Sequence, residues 1–474
     1  MKSYFCTVPK IKVSTQAELQ EQLKRAVNYI YDLKEEYPIR VGFYNLHTEH
    51  YLSIVIHHIA FDGWSGEVFF RELNNYFKHY LKNTPLNLPN LSIQYKDFAL
   101  WQRNYLTGGI LSKQLSYWKN KLVGYETLSL VTDYLRPTEI DYTGADLYFE
   151  IDESSSIALR ELAKELKVSL TTVLLSGYYL MLRGYSSQND LVIGTPVTNR
   201  HYNQVEDLIG FFVNSMVLRV KINPTLAIKK FIAEVGEELI LAQLHQDLPF
   251  EKLVEELKVP KDTSRHPIFQ IMFGIDNFIA TDLDLSGELQ SYNPSINLYN
   301  IAKFDISTFI NDSQTCLKGS FNYAVGLYKE TTIKGFMQTY TEILRQLPNL
   351  SRICDINYIN QEQQQIFQIW NQTERDYPHN KTIHRLFEEQ VERTPDNIAL
   401  VYEDTKLSYL ELNTKANQLS HYLKQIQEIK PDTLIALCLD RSEHMLIAIL
   451  AVLKAGAACA YGSKLSYRED QIHN

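Results

Sequence analysis

The sequence predicts an α/β fold built as more than one layered unit, and three observations lead to that reading. Apolar residues recur at helical spacing in some segments and gather in short β-prone runs in others, and the two kinds of segment alternate along most of the chain. Hydrophobic residues fill 45% of the 474 positions and charged residues 22%, which supplies apolar surface for two or three cores. A Gln- and Asn-rich stretch from Asn360 to Asn380 has the composition of a linker, and a fresh set of elements begins near Thr382.

Taken in order, Thr15 with Glu18 makes a capping box, and Leu19, Leu23, Ala26, Val27 and Ile30 follow at helical spacing. The pattern therefore predicts a helix over Thr15 to Lys34. Two β-rich runs, residues 39–46 and 51–57, flank the polar His47, Thr48, Glu49 and His50 and read as a hairpin. Val68, Phe69, Leu73, Tyr76, Phe77 and Tyr80 form a second apolar stripe, so a helix starts just after Gly63. Pro85 and Pro89 break the pattern before predicted helices at 95–103 and 111–122, and residues 131–143 read as a crossing segment. Further helices are predicted at 155–166, 170–183, 228–243 and 331–347. Strands are predicted between them at 191–195, 215–220, 268–274, 304–309 and 316–322.

A formal net charge of -9 offers no basic surface for phosphates, so a nucleic-acid partner is not expected. The five cysteines, Cys6, Cys316, Cys354, Cys438 and Cys459, show neither CxxC nor Cys/His spacing, so no disulfide framework or zinc site is suggested. Met1 to Lys10 lacks a signal-peptide core, and the most apolar run, Met445 to Leu453, is too short for a membrane span. A cytoplasmic protein without a membrane partner is expected.

The segment richest in chemistry is Ile56-His57-His58-Ile59-Ala60-Phe61-Asp62-Gly63-Trp64-Ser65, where an apolar strand gives way to a helix. Adjacent side chains at a strand end point to opposite faces, so one histidine at most faces a given cavity. Imidazole titrates near neutrality and can take or hold a proton from an attacking amine. Gly63 leaves room for a substrate arm or a tight turn. Alone, a His-His pair reads more often as the polar end of a strand than as a catalytic site.

The pair does not stand alone. HHxxxDG followed by an aromatic residue and Ser resembles the signature of the condensation domains of nonribosomal peptide synthetases, and four further motifs resemble that family's in the same order. They are Tyr95-Lys96-Asp97-Phe98-Ala99-Leu100-Trp101, Ile209-Gly210-Phe211-Phe212-Val213-Asn214-Ser215, His245-Gln246-Asp247-Leu248-Pro249-Phe250-Glu251 and Asp262-Thr263-Ser264-Arg265-His266-Pro267. Thr382 to Ala399, Leu407-Ser408-Tyr409-Leu410-Glu411-Leu412 and Leu453-Lys454-Ala455-Gly456-Ala457 are similar to the start of an adenylation domain.

The resemblance implies a two-lobed fold like that of chloramphenicol acetyltransferase, with a tunnel between lobes, followed by a partial adenylate-forming region. The implied boundaries are 1–135 and 136–359 for the two lobes, 360–380 for a linker and 381–474 for the adenylation fragment. By the same resemblance His58 faces the tunnel, His57 is its buried support, and Asp62 and Gly63 complete the catalytic motif. Asp62 matches an aspartate with a structural role, and Arg200, in Gly194-Thr195-Pro196-Val197-Thr198-Asn199-Arg200, is the candidate partner that holds it. The implied reaction is attack of an aminoacyl-thioester amine on a peptidyl-thioester carbonyl, with His58 either removing the amine proton or stabilising the tetrahedral species.

No cofactor bound by this chain is expected. The resemblance implies that the phosphopantetheine arms belong to the partners, which are upstream and downstream peptidyl carrier proteins or domains and other synthetase modules. The absence of aspartates in place of the histidines argues against the family's cyclising branch. His58 to Ser65 with Ser264-Arg265-His266-Pro267 looks most like the branch that takes a donor ending in a D-residue.

Two of the family's motifs that precede the histidines are not found between Met1 and Tyr44, so the first lobe is expected to start late, without its initial strand and helix. The adenylation resemblance ends at Tyr461, the phosphate loop is not found, and adenylation activity is not expected. Activity of the condensation unit therefore stays open. A second reading is an inactive remnant of a broken synthetase gene that at most binds carrier proteins, and a third, an epimerisation domain, fits less well with an adenylation start downstream.

Overall fold

Strand β1 (Lys10–Val13) lies parallel to β2 (Ile39–Leu46), with Val13 opposite Leu46, although no strand is predicted before Thr15. Between them runs helix α1 (Gln16–Val27), capped by Thr15, whose hydroxyl accepts from the Glu18 amide while the Glu18 carboxylate accepts from the Ser14 amide. The helix stops at Asn28 rather than continuing to Lys34. The Asn28 carboxamide donates to the carbonyls of Lys24 and Leu298, and Ile30, counted by periodicity on the buried face, is 90% exposed. β2 pairs antiparallel with β3 (Glu49–Ile56) around His47 and Thr48, with His47 in the left-handed region, so the expected hairpin is present with a tighter turn. Val13, Leu19, Leu23, Tyr44 and Leu46 make the core of this three-stranded sheet.

The computed structural model describes residues 8–275, 290, 292, 294, 298–312, 315–359 and 361–461. Cys6 and the stretch after Tyr461, which bears on the phosphate loop, lie outside the described residues.

Asp62 caps helix α2 (Gly63–Lys82), which ends at Asn83 in the left-handed conformation. Helices α3 (Tyr95–Tyr105) and α4 (Gly108–Lys121) follow, and the crossing segment leads to β4 (Gly144–Ile151). No strand is predicted at 144–151, although Leu147, Phe149 and Ile151 alternate with Asp146, Tyr148 and Glu150 in the period-2 pattern of a half-buried strand.

The chain continues through α5 (Glu153–Leu166), α6 (Leu170–Ser186), β5 (Asp190–Val197), the short α7 (Asn203–Glu206), β6 (Asn214–Lys221), α8 (Ile228–Gln243), α9 (Phe250–Leu257), β7 (Ile271–Ile275), β8 (Ile306–Asn311), β9 (Leu317–Ala324) and α10 (Glu330–Gln346). The strands form one mixed sheet in the order β4-β9-β8-β7-β5-β6, parallel only at β5/β7 and β7/β8. α6 packs against α5, α8 and α10, and every residue from Thr172 to Leu182 is buried, which is why its sequence is apolar on all sides. These elements belong to one compact unit, residues 1–368.

A second compact unit covers residues 369–474. The segment read as a linker opens with a helix, α11 (Gln361–Trp370), because glutamine is a good helix former even where few residues are apolar. α12 (Ile383–Arg393) leads into the hairpin β10 (Ile398–Tyr402) and β11 (Thr405–Ser408), and the Ser408/Glu411 capping box starts α13 (Tyr409–Ile426). β12 (Leu434–Leu437), α14 (Glu443–Ala455) and β13 (Ala458–Tyr461) form a parallel βαβ unit, with Gly456 in the left-handed conformation at the end of α14.

Lys454 near the end of α14 is nearly buried. Its ammonium donates to the Glu388 carboxylate on α12, to Asn413 Oδ1 at 2.7 Å and to Asn417 Oδ1 at 2.9 Å on α13. One cation thus ties three helices together, and Lys454 holds the Glu388 carboxyl below its usual value. Replacing it (Lys454→Met) takes the shared donor from Asn413 and Asn417 and leaves Glu388 with Arg385 alone, and is expected to destabilise this unit by about 3 kcal/mol. Hydrogen exchange on the full chain checks this: α12–α14 should exchange faster while the first unit keeps its protection.

Candidate functional site

The histidine motif begins where β3 ends. His57 is extended and caps a single 3-10 turn, His58 to Ala60, before Asp62 starts α2. The two histidines therefore diverge because the chain turns between them, and simple strand alternation is not the cause.

His57 is half-buried. Its Nδ1 accepts from the Ile59 amide at 3.0 Å, so in the neutral ring the proton sits on Nε2, and the ring meets Tyr31 edge-on at 5.6 Å. His58 is exposed and in the opposite tautomer. Its Nδ1 lies 2.5 Å from the Phe61 carbonyl, which can only accept, so in the neutral ring Nδ1 carries the proton and Nε2 the lone pair. The Phe211 ring stands edge-on to the imidazole at 5.3 Å and 89°.

Asp62 and Arg200 come together in the interior, with side chains 3% and 0% exposed. Arg200 Nη2 is 3.1 Å from Asp62 Oδ1, and Nη1 donates to the carbonyls of Val205 at 2.6 Å and Leu208 at 2.8 Å. The carboxylate also accepts from the Ser65 amide at 2.8 Å and from the Phe212 amide at 2.9 Å. Ser65 Oγ lies 2.7 Å from Asp62 Oδ1 and 2.9 Å from the Gly210 carbonyl, and accepts from the Gly210 amide and Arg200 Nη2 at 3.0 Å each. Burial pulls the Arg200 guanidinium below its ordinary value while Asp62 opposes the shift. The Phe212 ring lies under the guanidinium at 4.0 Å.

Ser65 and Phe212 are central to this cluster, yet in the sequence they stand out only as motif letters. Ser65, three residues after an N-cap aspartate, is the position whose amide such a cap engages, and that spacing is the available signal. Gly63 is the first residue of α2, exposed and without a positive φ, so no tight turn explains it.

The remaining motifs join the same framework. Tyr95 donates from its hydroxyl to the Phe211 carbonyl at 2.8 Å, and a Cβ on Gly210 would lie 2.3 Å from the Tyr95 ring, so glycine is required there by close approach. Trp64 Nε1 donates to the Glu206 carbonyl, and Arg71 pairs with Asp207. Asn214 Nδ2 donates to the Gln246 and Leu248 carbonyls and its Oδ1 accepts from the Phe250 amide, which locks the His245–Glu251 segment.

Trp101, Tyr105, Tyr202, His201 and Asp247 line one small cleft. The Ser264–His266 segment lines another, beside the Arg136–Asp305 ion pair, where burial holds the His266 imidazole below its usual value. Neither cleft includes His57 or His58. Among the described residues no group of three or more His, Cys, Asp or Glu side chains could hold a metal ion, and no helix is long and apolar enough to cross a membrane.

Comparison with known proteins follows the same division of the chain. The condensation-domain family model matches residues 3–366, and the AMP-binding enzyme model matches residues 387–472. The second match continues past Tyr461, which corrects the earlier end expected from the sequence. N-(5-amino-5-carboxypentanoyl)-L-cysteinyl-D-valine synthase of Amycolatopsis lactamdurans is 41% identical over 455 residues, covering 95% of this chain and 12% of that protein. Gramicidin S synthase 2 of Brevibacillus brevis is 37% identical over 447 residues, covering 92% and 10%. The chain thus spans only about a tenth of these curated relatives.

Among solved structures, holo-AB3403, a four-domain nonribosomal peptide synthetase bound to AMP and glycine, superposes with a TM-score of 0.74 at 23% identity, covering 98% of this chain and 36% of that one. The X-domain from teicoplanin biosynthesis gives 0.67 at 23% identity, covering 74% and 81%. At these identities the likeness is one of fold.

Asp62→Ala should lower stability by about 3–5 kcal/mol, because it leaves a buried guanidinium without its anion and the Phe212 amide without an acceptor. The double variant Asp62→Ala/Arg200→Met should lose less than the sum of the single losses. Denaturant unfolding of the four proteins in the cycle measures both.

Proposed function

We propose that this chain, which belongs to the condensation-domain family and runs on into the start of an AMP-binding domain, joins two carrier-bound thioesters by an amide bond. The observation that supports this best is the state of His58: exposed, held at Nδ1 by the Phe61 carbonyl, with its Nε2 lone pair free. An amine attacking a thioester must shed a proton at near-neutral pH, and an imidazole presented in that tautomer can receive it.

In the proposed step the amine of the downstream aminoacyl thioester attacks the carbonyl of the upstream peptidyl thioester. Nε2 of His58 takes the amine proton, or holds it by a hydrogen bond while the tetrahedral species forms. The C–N bond forms, the C–S bond breaks and the departing thiolate leaves with the proton. The products are a peptide longer by one residue on the downstream thiol and a free thiol upstream. Holding both thioesters in one site supplies the advantage of proximity. Asp62 has no part in proton transfer in this scheme, since its oxygens are occupied by Arg200, Ser65 and the Phe212 amide. His57 supports the turn, and the implied partners are peptidyl carriers bearing phosphopantetheine arms, in the cytoplasm.

The direct test loads donor and acceptor thioesters on separate carriers and follows the amide by mass spectrometry. The native chain should form product, and His58→Ala should lower the rate by about 100-fold or more; an equal rate in the variant would remove His58 from the reaction. The motif resemblance also assigns a donor ending in a D-residue. In the same assay the D-ended donor should outpace its L-epimer, and equal rates would overturn that assignment.

A further inference from the structure

We infer that Phe211 is a positioning residue for His58, an inference that rests on the proposed reaction. The two adjacent phenylalanines at 211 and 212 have divided roles. Phe212 is buried in a cluster with Phe98, Val205 and Leu208 and lies against the Arg200 guanidinium. Phe211 is 37% exposed and directs its ring at the imidazole of His58, 5.3 Å away and at 89°. A phenylalanine whose task was core packing would follow its neighbour inward, and this one remains at the surface beside His58.

The backbone around Phe211 is held from every side. The Gly210 amide and carbonyl both meet Ser65 Oγ, the Phe211 carbonyl accepts from the Tyr95 hydroxyl, and the Phe212 amide donates to Asp62 Oδ2. Three consecutive residues are therefore fixed to α2 and α3, and the ring between them has a defined place. For His58, the bond from Nδ1 to the Phe61 carbonyl restrains one edge of the imidazole and leaves rotation away from it open. The Phe211 ring closes that second freedom. It also gives the imidazole an apolar neighbour that makes no hydrogen bond, so Nε2 keeps its lone pair for the reacting amine.

The experiment uses the full chain with 15N-labelled histidine, assigning His58 by the signal lost in His58→Ala, together with kcat and KM in the carrier assay. In the native protein His58 should show a single Nδ1–H tautomer. Phe211→Ala should give a tautomer mixture and about a fivefold to tenfold lower kcat with KM unchanged, and Phe211→Tyr, which keeps the ring, should restore both. If Phe211→Ala does not fold, Phe211→Leu, which keeps apolar bulk without the ring, is expected to show the same changes. A native tautomer and native kcat in the folded variant would overturn the inference, and so would a loss of melting temperature with the tautomer unchanged. A native chain that forms no amide, yet whose His58 tautomer responds to Phe211, would refute the proposed reaction and leave the positioning role standing.

Discussion

The structure around the histidines depends on one buried ion pair. Arg200 and Asp62 are withdrawn from water, and such a pair is tolerated only when its remaining hydrogen-bonding capacity is met. Here it nearly is: Arg200 uses two backbone carbonyls in addition to the carboxylate, and Asp62 uses two backbone amides and a hydroxyl, with Arg200 Nε left as the unpartnered atom. The pair joins the amino terminus of α2 to the loops on either side of α7, more than a hundred residues later in the chain. Replacing both partners with apolar residues could match its stability, but that would not specify where the loop from Gly210 to Phe212 lies against α2.

From that point the arrangement is propagated by short links. Asp62 caps α2, so the helix start and the ion pair occupy one place, and the turn that carries His58 has no slack between β3 and the cap. Ser65 repeats the connection one turn along, Tyr95 fixes the Phe211 carbonyl, and Asn214 passes the constraint to the segment that opens α9. The motif letters separated by long stretches of chain thus belong to a single hydrogen-bonded framework. Most of them hold backbone in place, and in the proposed reaction His58 supplies the proton acceptor.

Much of this is legible in the sequence, for identifiable reasons. Long helices with one-sided or all-round apolar patterns, such as α2 and α6, follow directly from periodicity, and the change from a β-rich run to a helical stripe between Ile56 and Gly63 locates the histidines at a strand-to-helix junction. β1 and α9 are short, four and eight residues, and offer little period to detect. Periodicity overextends α1 because the helix end is set by Asn28 bonding to Leu298, a tertiary contact 270 residues away that no local pattern encodes. The roles of Phe211 and Phe212 are illegible for a similar reason: adjacent identical side chains are distinguished only by which neighbour each one meets. The tautomers of His57 and His58 likewise follow from backbone groups two and three residues on, once the turn is known.

The buried pair thus holds the loop bearing Phe211 and the turn bearing His58 in one fixed relation. Hydrogen exchange of Arg200→Met against the native chain tests it most directly. Exchange should be faster in residues 205–213 and 58–66, with the protection of the six-stranded sheet retained. Native exchange rates in both segments of the variant would contradict it, because the loop and turn would then be held by something other than Arg200 and Asp62.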